Sequence, residues 1–127
     1  MNIHESSEDY LESILVIKER AGQVRSIDIV NELNFSKPSV SVAMKKLREN
    51  GYIEVDGGGY ISLTDSGMAI AKNIYDRHKL LTKFLMHLGI SSEVSAGDAC
   101  KIEHDISEET YLKIKEYAEK NIPDYKE

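Results

Sequence analysis

The chain contains a single cysteine, and a carboxylate and an imidazole follow it at close spacing. The segment DACKIEH, residues 98–104, places Glu103 three positions and His104 four positions after Cys100. On an α-helix, positions i, i+3 and i+4 share a face, so these three side chains would project together. Thiolates, carboxylates and imidazoles all bind metal ions, which makes the trio a candidate half of a metal site. The alternative is an ordinary core cysteine beside a solvated Glu-His pair.

Two other places in the sequence offer similar donors. Asp9 and Glu12 lie one helical turn apart beside an apolar stripe, although acidic residues in the first turn of a helix are favourable without any metal. His78 borders the apolar face of a later helix, where a lone histidine is usually a hydrogen-bonded core residue. His87 lies about 180° from His78 at the α-helical period, and His4 lies near the start, so both are left outside the candidate site.

The composition is that of one folded domain or of two small ones. The 127 residues are 41% hydrophobic and 30% charged, include two prolines, and contain no low-complexity run or internal repeat. No apolar stretch is long enough for a membrane span, and residues 1–12 do not resemble a signal peptide. A single cysteine cannot form an internal disulfide. We therefore expect a cytoplasmic protein with no membrane partner.

The charge is unevenly distributed along the chain. The formal net charge is −6, yet residues 18–48 carry seven basic and three acidic side chains, so that segment is at +4 and the remainder at −10. A basic segment in an acidic molecule is compatible with local DNA contact, while the acidic remainder limits non-specific binding to DNA.

Apolar periodicity and capping residues predict a mainly α protein with one β-hairpin. Helices are predicted over residues 7–20, 26–33, 36–51, from Thr64 to Gly89, 92–104 and 107–120, with the hairpin over 52–63. The expected caps of the first three helices are Ser6 or Ser7, Ser26, and Ser36 or Lys37. Three helices followed by a hairpin are typical of a winged helix-turn-helix, which predicts DNA binding. The alternative is a generic helical domain with a surface hairpin.

The third helix is the candidate recognition helix, because no acidic residue lies between Phe35 and Arg48. The expected base and phosphate contacts at its start are Ser36, Lys37, Pro38, Ser39 and Ser41. The expected contacts to the DNA backbone are Arg25, Ser26, Lys45, Lys46 and, in the hairpin, Tyr60. For Lys45, a solvated helix surface is an equally good interpretation.

These segments together resemble the metal-dependent repressors of the diphtheria toxin repressor and manganese transport regulator type. The resemblance runs from about Glu8 to Asn121 and is carried by EDYLESI (8–14), SKPSVS (36–41), LRENGYI (47–53), LTDSG (63–67), RHKLL (77–81) and DACKIEH (98–104). It implies a winged helix-turn-helix domain over residues 1–63, and a linker helix with a helical metal-binding and dimerisation domain over 64–127. It also implies that the metal ligands are Asp9, Glu12, His78, Cys100, Glu103 and His104. Because the sequence ends at residue 127, no third, SH3-like domain is expected.

The sequence also departs from both branches of that family. Asp9 stands where the iron branch has a methionine ligand, and Cys100 where the manganese branch usually has a carboxylate. Thr82 and Ala96 replace the acid and the histidine of an ancillary site in the iron branch, so we expect that site to be absent or much altered. Val42 replaces a glutamine of the recognition helix, and the operator sequence of the iron branch therefore does not transfer.

The resulting hypothesis is a homodimeric repressor of metal-ion homeostasis that binds double-stranded operator DNA when Fe²⁺ or Mn²⁺ is bound. Six mixed O, N and S donors disfavour tetrahedral zinc, and the Cys100 thiolate slightly favours Fe²⁺ over Mn²⁺, although Zn²⁺, Co²⁺ or Ni²⁺ is expected to bind in vitro. The main alternative is a winged-helix regulator that senses redox state or a small ligand through Cys100 without metal. A metallohydrolase needs an open coordination position, which six protein ligands would close, so we expect neither enzyme activity nor a small-molecule substrate.

Overall fold

The computed structural model describes residues 5–123, which form six α-helices and one two-stranded sheet. In chain order the elements are α1 Glu5–Ala21, α2 Ser26–Leu33, α3 Lys37–Glu49, β1 Ile53–Val55, β2 Ile61–Leu63, α4 Asp65–His87, α5 Ser92–Ile102 and α6 Glu108–Asn121. The chain divides into two compact units between Asn73 and Ile74, and each unit is described by itself. His4 and residues 124–127 lie outside the described residues.

Helix α1 supplies the main apolar stripe of the first unit. The apolar residues of this stripe are all buried: Tyr10, Leu11, Ile14, Leu15 and Ile17. Gly22 follows the last residue of the helix, with a positive φ of 83° and an N–H that donates to the Lys18 carbonyl at 2.9 Å. The predicted cap at Ser6 or Ser7 is wrong, because the helix already begins at Glu5. A serine inside a helix reduces helix stability only slightly, so the capping preference of Ser6 and Ser7 does not determine where α1 begins.

Helices α2 and α3 form the helix-turn-helix. The N-cap of α2 is Arg25 rather than Ser26, because the Arg25 backbone N–H donates to Asp28 Oδ2 at 2.9 Å and Ser26 is the first helical residue. The turn between the helices contains Asn34 in the left-handed region, at φ 57°. Ser36, one of the two expected caps, caps α3, and Pro38 occupies the first turn. The buried residues of the helix are Val40, Met44 and Leu47.

The predicted hairpin follows α3 directly. Its strands pair antiparallel with Ile53 opposite Leu63 and Val55 opposite Ile61. Ile53 and Ile61 are buried at the start of each strand. The Ile61 N–H also donates to the carbonyl of Val24 at 2.7 Å, which ties β2 to the segment before α2. The three helices and this hairpin confirm the winged helix-turn-helix predicted from the sequence.

Thr64, where the sequence predicts the start of this helix, caps α4, because its Oγ1 accepts the Gly67 N–H at 3.2 Å. Gly67 lies directly against the carbonyl of Tyr52, and a Cβ atom at this position would overlap that oxygen. The close approach of helix and hairpin end therefore requires glycine.

The second unit contains the later part of α4 together with α5 and α6. Leu80, Tyr111 and Ala118 form a buried cluster, against which Ile106, Ile114 and Ile122 pack. Ser91 caps α5 and Ser107 caps α6. The prediction of a helix over 92–104 was too long, because α5 ends at Ile102. Among the described residues, no helix is long and apolar enough to cross a membrane.

Candidate metal centre and nucleic-acid interface

Helix α3 presents one buried and one exposed face. Opposite the buried Val40, Met44 and Leu47, the side chains of Val42, Lys45 and Lys46 are exposed. The predicted contacts at its start are also exposed: Ser36, Lys37, Pro38, Ser39 and Ser41. The exposed face has no acid before Glu49, so it matches the negative charge of a DNA groove.

The hydroxyl groups of Ser36 and Ser39 are coupled at the start of α3. Ser36 Oγ accepts the Ser39 N–H at 3.2 Å and donates its own proton to Ser39 Oγ at 2.8 Å. Ser36 therefore acts as the helix cap, which uses both its donor and one of its acceptor positions. Ser39 keeps its own hydroxyl proton for donation to an external acceptor.

A concave surface lies between α3, the start of α2 and strand β1. It is lined by Ser26, Ser41, Val42, Met44, Lys45, Arg48 and Val55. Three predicted DNA contacts, Ser26, Ser41 and Lys45, meet there. Val42 and Arg48 line the same surface and were not among the predicted DNA contacts. The sequence could have indicated Arg48, because it belongs to the basic segment and lies three residues after Lys45, on the same face of the helix.

Arg25 and Tyr60, both predicted as contacts to the DNA backbone, lie against each other. The Arg25 guanidinium stands over the Tyr60 ring, 5.0 Å from its centroid, and Arg25 Nη2 donates to the carbonyl of Gly58 at 2.5 Å. Tyr60 belongs to the hairpin tip, which we call the wing (Asp56–Tyr60), and Arg25 reaches it from the N-cap of α2.

In the first unit, Asp9 and Glu12 lie one turn apart on α1. Both are half-buried and alternate with the buried Tyr10, Leu11 and Ser13. Burial raises the pKa of Tyr10, whose ring contacts Phe35 edge-on at a centroid distance of 5.6 Å. The two carboxylates thus lie at the border of an apolar surface. The effective dielectric constant is lower there than in open solvent, so their attraction to a cation is stronger.

In the second unit, Glu103 joins two of the predicted imidazoles. Its side chain is 0% exposed, and Oε2 is 2.9 Å from Nδ1 of His78. Oε1 is 3.5 Å from Nε2 of His104, whose side chain is 2% exposed. Within residues 5–123, no hydrogen-bond partner reaches Glu103 Oε1. A buried carboxylate oxygen without a hydrogen bond, beside two imidazoles, fits the coordination of a divalent cation.

Cys100 lies in the last turn of α5, three residues before Glu103, and its side chain is exposed. The prediction that Cys100, Glu103 and His104 share one helix is partly wrong, because α5 ends before the last two. Glu103 keeps right-handed helical dihedral angles as the C-cap (φ −60°, ψ −26°), and its N–H donates to the Ala99 carbonyl at 3.0 Å. The one-turn relationship between Cys100 and Glu103 therefore survives, while His104 lies in the following turn.

Arg77 binds the turn after α5, a role that the sequence analysis did not predict. Its Nη1 donates to the carbonyls of Glu103 at 3.2 Å and Ile106 at 2.9 Å, and Nη2 donates to Glu108 Oε2 at 2.8 Å. The guanidinium also stacks over the Tyr111 ring, 5.0 Å from its centroid. The only sequence signal was an arginine next to His78 on a packed helix, and most arginines at such positions are solvated.

Known families match both parts of the sequence. Residues 2–59 match the family described as iron dependent repressor, N-terminal DNA binding domain, and residues 64–121 match its metal binding and dimerisation domain. An uncharacterised HTH-type transcriptional regulator of Methanocaldococcus jannaschii is 36% identical over 118 residues, which cover 91% of this chain and 94% of that protein. Transcriptional regulator MntR of Escherichia coli O6:H1 is 32% identical over 114 residues, covering 90% of this chain and 74% of MntR.

The chain belongs to the diphtheria toxin repressor and manganese transport regulator family. The resemblance predicted from the sequence motifs is confirmed, and so is the mainly α fold with an N-terminal DNA-binding domain and a C-terminal dimerisation domain. Among solved structures of this repressor family, the manganese regulator SloR has a TM-score of 0.78 at 28% identity. That match covers 94% of this chain and 55% of SloR, so the chain spans about half the length of the solved protein.

The predicted preference for Fe²⁺ over Mn²⁺ has no support among these relatives. SloR is described as a manganese regulator, whereas the matched family domains are described as those of an iron dependent repressor. Membership of the repressor family therefore leaves Mn²⁺ at least as good a candidate as Fe²⁺.

Proposed function

We propose that this protein is a metal-activated transcriptional repressor that binds operator DNA as a homodimer in the cytoplasm, and that it is not an enzyme. The observation that carries the proposal is the buried Glu103 carboxylate between His78 and His104, with one oxygen lacking a hydrogen bond. The acid-free exposed face of α3 supports the DNA-binding part. Family membership supports the combination of the two.

We propose that six side chains hold the metal: Asp9, Glu12, His78, Cys100, Glu103 and His104. With Cys100 as a thiolate, three carboxylates and this sulfur carry four negative charges. Such groups repel one another without a cation, and some of them then take up protons. A bound divalent ion supplies two positive charges and a set of coordination positions to this donor set.

The six donors belong to different parts of the chain, and this suggests how metal binding changes DNA affinity. Asp9 and Glu12 come from α1 of the DNA-binding unit, and the other four donors come from the second unit. Simultaneous engagement of both groups would restrict the DNA-binding unit relative to the dimer. Two recognition helices of a dimer must be separated by one turn of DNA, about 34 Å, to enter successive major grooves. A typical allosteric coupling of about 1–3 kcal/mol would change DNA affinity roughly 5- to 150-fold.

We propose Mn²⁺ or Fe²⁺ as the activating ion. Carboxylates and imidazoles suit both ions, and the Cys100 thiolate makes the site softer than one with oxygen and nitrogen donors alone. Zn²⁺, Co²⁺ and Ni²⁺ bind such donors more tightly in general, so occupancy in vitro does not identify the ion that acts in the cell.

The test measures DNA binding at buffered free metal concentrations. Duplexes selected in vitro by the full-length protein in the presence of Mn²⁺ are labelled, and the dissociation constant is measured with each ion and with a chelator. Sequence-specific binding that requires Mn²⁺ or anaerobic Fe²⁺ and is lost with chelator is the expected result. Tight specific binding that ignores both metal and chelator would contradict metal activation.

A second function, redox or small-ligand sensing through Cys100, is favoured by one observation, the exposure of this thiol. The Cys100→Ser variant separates the two functions. If the protein is metal-activated, DNA binding by Cys100→Ser still responds to metal, at higher ion concentrations than in the wild type, and does not respond to oxidant. In a redox sensor, oxidant changes DNA binding of the wild type in the presence of chelator, and Cys100→Ser abolishes that change.

A further inference from the structure

The wing is held by two separate sets of contacts. Within the wing, Asp56 Oδ1 accepts the N–H groups of Gly58 and Tyr60 at 2.9 and 3.0 Å, and the Asp56 N–H donates to the Tyr60 carbonyl at 3.0 Å. Gly59 has a positive φ of 83°, which completes the tight turn. These contacts fix the shape of the wing but do not fix its direction relative to α2 and α3.

Arg25 supplies the side-chain contacts between the wing and the start of α2. Its side chain reaches from the start of α2 to the Gly58 carbonyl and covers the Tyr60 ring. The approach is close, because a Cβ atom added to Gly59 would lie 3.3 Å from Arg25 Nη2. The planar guanidinium is suited to such stacking with a simultaneous hydrogen bond, which an ammonium group does not reproduce.

The backbone at Arg25 is anchored as well. Its N–H is bound by Asp28 Oδ2 in the first turn of α2, and the carbonyl of the preceding Val24 accepts the Ile61 N–H of β2. Arg25 therefore connects a fixed backbone position in the helix-turn-helix to the tip of the hairpin. A change in this side chain is transmitted to the wing rather than absorbed by a mobile main chain.

We propose that Arg25 is a positioning residue, which aims the wing at the DNA by binding Gly58 and Tyr60, and that it is not a phosphate ligand. This inference rests on the proposed DNA-binding function and replaces the sequence-based assignment of Arg25 and Tyr60 as backbone contacts. It assigns the ring of Tyr60, rather than its hydroxyl group, as the functional part of that residue.

The first experiment compares Arg25→Lys with Arg25→Gln in the full-length protein on an in vitro selected duplex with Mn²⁺. The lysine keeps the charge and loses the planar stack, so a positioning role predicts that both variants bind about tenfold more weakly. The slope of log K against log salt stays at the wild-type value in both. A phosphate ligand predicts wild-type binding by Arg25→Lys and a slope smaller by about 0.9 in Arg25→Gln, and that result would overturn the proposal.

Two substitutions at Tyr60 test its role as the stacking partner of Arg25. Tyr60→Leu removes the ring and is expected to match the Arg25→Lys defect, with no further loss in the double variant. Tyr60→Phe is the matched control, because it keeps the ring and removes only the hydroxyl group, and wild-type binding is expected. Additive losses, or a defect in Tyr60→Phe equal to that in Tyr60→Leu, would refute the contact as the basis of wing position.

A measurement without DNA distinguishes failure of this inference from failure of the proposed function. Hydrogen exchange of the Asp56 and Tyr60 amides in the free protein should be about tenfold faster in Arg25→Lys and Tyr60→Leu and unchanged in Tyr60→Phe. Unchanged exchange in all three variants would overturn the positioning role. If the wild type binds no duplex with any metal, the proposed function fails, while the exchange rates still decide whether Arg25 orders the wing.

Discussion

The Glu103 carboxylate lies within 2.9 Å of His78 Nδ1 on one oxygen, while its other oxygen has no hydrogen bond from any described residue. A buried carboxylate in this state costs free energy in the metal-free protein, and a cation at the free oxygen would offset that cost.

Glu103→Gln is therefore expected to change metal-free and metal-loaded stability in opposite ways. Without metal, the neutral amide removes a buried charge, and the free energy of unfolding stays equal or increases. With Mn²⁺ at about 100 times its dissociation constant, the wild type gains about 2.7 kcal/mol, and the variant should lose that gain. Thermal unfolding with and without chelator measures both effects, and Glu109→Gln, an exposed acid of α6, is the control. An unchanged metal-dependent gain in Glu103→Gln would exclude Glu103 as a ligand.

Arg77 should be required for the stability of the second unit. Arg77→Met removes two hydrogen bonds to the carbonyls of the turn after α5 and a third to the Glu108 carboxylate at the start of α6. The buried carbonyl of Glu103 would lose this donor. A loss of about 2–4 kcal/mol in the free energy of unfolding is expected. The neighbouring Lys79→Met, whose side chain is 53% exposed, should change stability by less than about 0.5 kcal/mol. Urea denaturation of both variants provides the comparison, and equal stabilities would contradict the assigned role.

Val42 offers a test of the DNA-binding face that does not disturb the core. Its side chain is 55% exposed on the face of α3 opposite the buried residues. Val42→Glu places a negative charge near Lys45 and should weaken DNA binding by at least about tenfold, with stability changed by less than about 0.5 kcal/mol. Val42→Gln, of similar size and without charge, is the control for the loss of the valine itself. Wild-type affinity in Val42→Glu would show that another surface binds DNA.

Gly67 and Gly97 form a matched pair for a stability measurement. Both are helical glycines, but a Cβ atom at Gly67 would overlap the Tyr52 carbonyl, whereas at Gly97 nothing lies within 4 Å. Gly97→Ala is therefore expected to stabilise the protein by about 0.5–1 kcal/mol through helix propensity. Gly67→Ala should destabilise it by about 1–3 kcal/mol despite the same propensity gain. Chemical denaturation of the two variants measures the difference, and stabilisation by both would refute the close approach.

The sequence predicted the order and type of the elements because their signals are local. The apolar stripe of α1, the serine cap of α3 and the glycine-rich wing all depend on residues a few positions apart. The errors occurred where two local signals compete. Ser26 is a favourable cap, yet Asp28 binds the N–H of Arg25 and moves the cap by one residue.

The candidate site was only partly predictable, for a different reason. Spacing made Glu103 and His104 candidate donors, and the family resemblance added His78 to the expected ligands. The structure places the three side chains together in the second unit. Spacing could not reveal that Arg77 binds the turn that contains Glu103 and His104, or that Arg25 binds the wing. Both contacts join residues about 26–33 positions apart, and such pairings depend on packing that no local pattern encodes.

The end of α5 at Ile102 has a consequence for how this region responds to substitution. Glu103 makes the last i→i−4 hydrogen bond of the helix, to Ala99, and His104 lies beyond it. The turn that contains both residues is attached to α4 through the Arg77 guanidinium group. Changes in the intrinsic helicity of residues 92–98 should therefore leave the separation of these two donors intact. Far-ultraviolet circular dichroism, which reports helical content, would consequently be blind to disruption of this turn, and nuclear magnetic resonance of the histidine rings is the appropriate probe.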